Sequence, residues 1–165
     1  VTTGSNHMTS LKSAVDDVVA NAMVARDNCI KIDNTKYDGT GSACATIGTN
    51  ITGETYGPGT YYGSASGTAA NGVVTLDGDA NAQFNFILSG ALTFGANSKV
   101  KLEGGAVAEN VTWTTGSSIN IGANTEFRGM AYSGGSINAS TSEVHCGALY
   151  AAGAVSVKSI GLEDC

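Results

Sequence analysis

The sequence predicts a mainly β protein: a β-solenoid of about eighteen residues per coil, with one α-helix packed along a face. Three observations predict it. Nearly half of the 165 residues are Gly, Ala, Thr or Ser, with a single Pro, which suits a narrow stacked core and excludes a Pro-rich linker. Similar residues return every eighteen positions: Ile119 with Ile137 and Val155, Asn120 with Asn138, Gly129 with Gly147, and Tyr132 with Tyr150. Such a period is too short for a helical repeat and fits one solenoid turn of three short strands. Finally, a single segment, SLKSAVDDVVANAMVAR (10–26), carries helical periodicity.

Taken in order, Val1 to Thr9 form a polar N-terminal arm, and residues 10–165 form one domain. Within the helix 10–26, Leu11, Val15, Val18, Ala22 and Ala25 follow steps of four and three and make one apolar stripe. Ser10 serves as its N-cap, and Asp16 and Asp17 take the wet side. Residues 27–50 are turn-rich and read as a loop closed by a disulfide. The solenoid occupies 51–165, with Ile119, Ile121 and Phe127 inward and Asn120 and Arg128 outward. Eighteen residues beyond Phe127 stands His145. Either a bulge lets Val144 face in, or a histidine is buried with a partner.

A formal charge of −6 argues against a nucleic-acid surface, and no run approaches the ~18 apolar residues of a membrane span. Cys29, Cys44, Cys146 and Cys165 lack C-x-x-C spacing, which disfavours zinc and favours two disulfides in an exported protein. Four cysteines allow three pairings. Solenoid register favours Cys29–Cys44, closing the helix-exit loop, and Cys146–Cys165, on adjacent coils. DNTKYDG (33–39) lacks the ligands of a calcium loop, and GSASG (63–67) lacks the central serine of a nucleophile elbow. His7 and His145 belong to no catalytic motif, so the residues point to no enzyme, metal or cofactor. Three N-glycosylation triplets start at Asn50, Asn110 and Asn138.

The stretches PGTY (58–61), LDGDANAQFNFILSGALTF (76–94), GGAVAENVTW (104–113) and TEFRGMAYSGGSIN (125–138) resemble, in order, the ice-binding-like family of secreted proteins. The resemblance implies a right-handed β-solenoid of triangular cross-section with a long helix along one face. Family members carry strands ahead of that helix, so this chain resembles a shortened member without them.

Two functions follow. The first is a secreted, non-enzymatic structural subunit that joins copies of itself head to tail into an extracellular filament or cell-surface appendage. Val1, Thr2 and Thr3 of the arm and Val155, Val157 and Leu162 of the last coil would form that joint. The alternative, implied by the resemblance, is a soluble ice-binding protein. Its candidate ice-facing residues are Thr112 and Thr114, outward if Val111 and Trp113 point in, and Asn124 and Thr125 at a corner. Tyr132 and Tyr150 are expected to pack against the helix.

Overall fold

The structure, a computed structural model, describes residues 3–33, 43–145 and 147–163. It begins with helix α1 (Thr3–Asp33). Fifteen parallel-paired strands follow: β1 (Ala43–Thr46), β2 (Thr55–Tyr56), β3 (Gly59–Gly63), β4 (Ser66–Thr68), β5 (Val73–Asp77), β6 (Phe84–Leu88), β7 (Leu92–Phe94) and β8 (Lys99–Glu103), then β9 (Val111–Thr115), β10 (Ile119–Ile121), β11 (Glu126–Arg128), β12 (Met130–Ser133), β13 (Ile137–His145), β14 (Leu149–Ala151) and β15 (Val155–Glu163). The solenoid reading holds.

The strands make three faces. Face A is the six-stranded sheet β1-β3-β6-β9-β12-β14. The nine-stranded sheet folds into the other two. Face B stacks β4, β7, β10 and the first third of β13 and β15, and face C stacks β2, β5, β8, β11 and the last third of β13 and β15. Every strand offers alternate residues to the interior. There Phe86 stacks on Trp113 with ring centroids 4.1 Å apart, and Phe94 meets Phe127 edge-on at 5.4 Å. Trp113 Nε1 donates to the Arg128 carbonyl at 3.0 Å, so the buried indole leaves no polar atom unpaired.

The eighteen-residue period belongs to the late coils only. Ile119 pairs with Ile137, and Ile137 with Val155, whereas Leu92 pairs back to Ser66 and forward to Ile119 across longer intervals. The extra residues are loops from face C to face A, such as 104–110 between β8 and β9. In the later coil Gly129 alone makes this turn, at φ 101°, and a Cβ there would come within 2.6 Å of the Val111 carbonyl oxygen.

Helix α1 is longer than the sequence predicts at both ends. Residues 3–9 are helical rather than an extended arm, and residues 27–33 continue the helix rather than opening the loop; Val1 and Thr2 lie outside the described residues. The solenoid likewise starts at β1, ahead of residue 51. The inward stripe is also rotated from the expected one: Val15 and Val19 are buried against Ala152, with Met23 and Tyr132 alongside, while Val18 is exposed. The helix runs along face A with its C-terminal part towards β1 and Val15 at the level of β12 and β14. At 1.5 Å per residue its 31 residues measure about 46 Å. Six strands at ~4.8 Å span only about 24 Å between first and last. Leu11, one turn ahead of Val15, therefore projects past the last coil and is exposed although it lies on the inward line.

Candidate functional site: an uncharged face

Corner chemistry shapes the three faces. Between faces B and C the chain turns through 69–72, 95–98 and 122–125. Asn71, Asn97 and Asn124 sit there in the left-handed region at φ 58°, 57° and 55°, a conformation Asn tolerates better than most residues. Their backbone amides reach the next coil at Ala96, Ala123 and Thr141. Their side chains form a ladder, Asn124 Nδ2 donating to Asn97 Oδ1 at 3.1 Å and Asn97 Nδ2 to Asn71 Oδ1 at 3.3 Å.

The faces then differ sharply. Face A lies under α1. Face C is charged: Lys99 pairs with Glu126 at 2.6 Å, Lys101 with Glu103 at 2.5 Å, and Arg128 continues the row. Face B is neither covered nor charged. Its outward row is Gly67, Thr93, Asn120, Asn138 and Ser156, one residue per coil in register. It is flanked on one side by Ala91, Ser118, Ser136 and Ala154, and on the other by Gly95, Gly122 and Ser140. Among the described residues the first charge met across it is Lys158, at the corner after Val157.

Face B is also held still. Asn138 Nδ2 donates to Asn120 Oδ1 at 3.1 Å, and Asn120 Nδ2 approaches Ser118 Oγ at 3.5 Å. Gly122 lies so close to the coil beneath that a Cβ would meet Ala96 N at 2.6 Å, which keeps that border flat. No ionisable side chain stands in the outward row, so its character does not depend on pH. A shallow groove of about 430 Å³ at its N-terminal end, bounded by Thr49, Asn50, Gly67 and Thr93, continues the surface.

The candidate ice-facing residues fall in different places. Thr112 and Thr114 do point away from the solenoid core, but on face A, where that direction leads to the helix. Thr114 shares its row with Ile87, Tyr132 and Tyr150; it is only 3% exposed, and Thr112 is half-buried. The apolar Ile87 in that row was the signal that a covering element lies above. Thr125 is buried and donates its hydroxyl to the Gly95 carbonyl at 3.1 Å, a corner lock rather than a surface group. Asn124 is exposed, at the rim of face B. The face itself escaped sequence reasoning, because one outward residue per three-residue strand leaves no Thr-x-Thr pattern.

Tyr132 and Tyr150 stack at 5.1 Å, with Tyr132 in the cluster of Val15 and Val19, as expected of a helix-packing ladder. Cys29 is buried and disulfide-bonded. The side chain of Cys44, together with Cys146 and Cys165, lies outside the described residues, so both pairings remain proposals. Among the described residues no cluster of three metal-ligating side chains occurs, and no helix is long and apolar enough to cross a membrane.

A β-solenoid with one long helix that leaves one face uncovered, its outward row free of charge, defines the structural class. The family described as Ice-binding-like matches residues 1–162, and the chain belongs to that family. Over 96 residues it is 36% identical to ice-binding protein 1 of Shewanella frigidimarina (strain NCIMB 400), covering 56% of this chain and 11% of that protein. Over 114 residues it is 38% identical to the ice-binding protein of Nostoc sp. (strain HG1), covering 67% and 42%. The chain thus spans less than half the length of these relatives. The crystal structure of an ice-binding protein from the Antarctic ascomycete Antarctomyces psychrotrophicus superposes with a TM-score of 0.67 at 27% identity, covering 88% of this chain and 68% of that one. An ice-binding protein from an Antarctic bacterium of the Flavobacteriaceae gives 0.66 at 25% identity, covering 88% and 33%.

Proposed function

We propose that this protein is a secreted, non-enzymatic, cofactor-free ice-binding protein that engages ice through face B. One observation carries the assignment to that face: it alone among the three is both uncovered by α1 and free of charge along its outward row. Family membership supports ice as the partner.

The mechanism follows from preorganisation. A solid water lattice is a periodic, rigid partner, and binding it favours groups that lose little freedom on contact. Thr93, Asn120, Asn138 and Ser156 recur at the strand spacing of ~4.8 Å, and the two amides are tied to one another. Small neighbours such as Gly122 and Ala91 let ordered water sit down between the polar groups and bridge them to the lattice. A charged side chain on that plane would keep its own strongly bound hydration and disturb the match. The disulfide at Cys29 supports export to an oxidising compartment.

The test is thermal hysteresis and ice-crystal shaping by the purified oxidised chain, with Asn138→Lys on face B and Lys101→Gln on face C. Hysteresis should fall to background in the first variant and persist in the second. A wild type that neither shapes ice nor partitions into it sinks the reading. The alternative of a structural filament keeps one favourable observation, the exposed valines of β15.

A further inference from the structure

The three N-glycosylation triplets stand in different surroundings. Asn50-Ile51-Thr52 lies in the loop 47–54 between β1 and β2, and of the three it alone exposes both its asparagine and its hydroxyl residue. Ile51 is fully buried and its N–H donates to the Gly67 carbonyl at 2.9 Å, while the Gly53 N–H donates to the Val73 carbonyl at 2.7 Å. The backbone is thus pinned to the next coil on both sides of Thr52. Asn50 Oδ1 accepts from the Thr52 N–H at 3.0 Å, which orients the amide, and among the described residues Nδ2 has no hydrogen-bond partner. The other two triplets are built into the fold. Asn110 is half-buried, its Nδ2 donates to the Ala80 carbonyl at 3.0 Å, and Thr112 is half-buried on face A beneath α1. Asn138 stands within face B on a strand paired on both sides, its Nδ2 donates to Asn120 Oδ1 at 3.1 Å, and Ser140 is half-buried.

We infer that Asn50 is an N-glycan acceptor, and that of the three triplets it alone takes a sugar. An N-linked oligosaccharide is bulky and hydrophilic, so its acceptor belongs in a surface loop. The donor is an oligosaccharide linked through its anomeric carbon to a polyprenyl diphosphate. Asn50 Nδ2 attacks that carbon, a C–N bond forms and the C–O bond to the diphosphate breaks. The diphosphate leaves with the electron pair, and Nδ2 gives one proton to a base of the transferase. Oδ1 keeps its bond to Thr52, so the loop accepts the sugar as it stands. At Asn138 the same sugar would lie over Asn120 and Ser156, each one strand spacing of ~4.8 Å away. Asn50 instead borders the groove at the N-terminal end of face B, so its glycan rises beside the outward row and not upon it. The acceptor site does not rest on ice binding; it shares with that reading only export, which the expression host supplies.

Secretion of the full chain from yeast behind a cleavable leader tests the site, read by intact mass and peptide mapping. The wild type should carry a single N-glycan, and enzymatic release in heavy-oxygen water should convert Asn50, and no other asparagine, to labelled Asp. Asn50→Gln and Thr52→Ala should each lose the glycan mass entirely. Thr52→Ser, Asn110→Gln and Asn138→Gln should keep it. A secreted wild type whose Asn50 is bare overturns the inference. So does a glycan on Asn110 or Asn138 that persists in Asn50→Gln. Hysteresis measured separately on the same samples reports on face B and not on the acceptor.

Discussion

Phe127 of β11 stands beside Val144 of β13, not beside His145. The reason is one missing residue. From Ile121 to Glu126 the corner holds four residues, but from Ala139 to Glu143, their partners in the next coil, it holds three. The absent position is that of the left-handed asparagine, and without it β13 runs straight from face B to face C. His145 pairs with Arg128. The strand therefore sets Val144, and not His145, in register with Phe127, one residue earlier than an eighteen-residue count places it.

Corners of either length should be interchangeable. Deleting Asn124 converts its corner into the three-residue form and removes one hydrogen bond of the ladder, worth ~1 kcal/mol. The melting temperature should drop by about 2–4 °C, with an unchanged β signature. Complete unfolding on this deletion would show that the corner, not the buried row, sets the register.

The left-handed asparagines carry their own cost. Asn97→Ala should destabilise by ~1–2 kcal/mol, since a β-carbon without a local hydrogen-bonding side chain is strained at φ 57°. Asn97→Gly should recover most of that loss in a urea titration. Equal losses for the two variants would place the effect in the side-chain ladder and not in the backbone.

Trp113 is the keystone of the aromatic stack. Trp113→Ala removes its contacts with Phe86 and Phe94 and orphans the Arg128 carbonyl. The expected loss is ~3–5 kcal/mol, a large share of the stability of a domain this size. Calorimetry should show either a melting point lower by 10 °C or more, or no cooperative transition.

Alkaline pH should destabilise the fold through its partly buried tyrosines, Tyr56 foremost. Burial, with Glu54 nearby, pushes Tyr56 from its ordinary value up to about 12, and burial raises Tyr61 as well. A phenol whose folded value is raised keeps its proton longer in the folded state. Its stabilising contribution is complete below the unfolded value near 10 and is lost as pH climbs towards 12. Stability followed by urea titration should be flat from pH 7 to 9 and fall between 10 and 12, and Tyr56→Phe should flatten that fall.

Two threonines on neighbouring faces should respond in opposite ways to the same change. Thr93→Lys on face B places a charge in solvent and should abolish ice shaping with little change in melting temperature. Thr114→Lys forces an ammonium beneath α1, and an uncompensated buried charge costs several kcal/mol. A Thr114→Lys protein as stable as wild type would show that the helix does not seal face A.

The solenoid was legible because its core rows repeat in the sequence: Ile119, Ile137 and Val155 stack as neighbours. The functional face was not, because outwardness is not exposure. The alternation that directs Val111 and Trp113 inward correctly turns Thr112 and Thr114 away from the core, but what lies on that side depends on where α1 docks. The helix stripe failed for a related reason. Val15, Val18 and Ala22 satisfy helical spacing as well as Val15, Val19 and Met23 do, and only the position of Ala152 and Tyr132 chooses between them. The long face C to face A loops escaped because the period was read where those loops have already been lost.

The projecting turn of α1 has a bearing on protein engineering. Six rows of face A lie under a helix long enough for more, so the covering element is already present for a lengthened solenoid. Duplicating residues 119–136 would add one tread to each face, and face B would gain a second Asn120 at the same spacing. Leu11 would then come to rest on the added coil. Surface area could thus be dialled in units of one repeat, without redesigning the helix or either terminus.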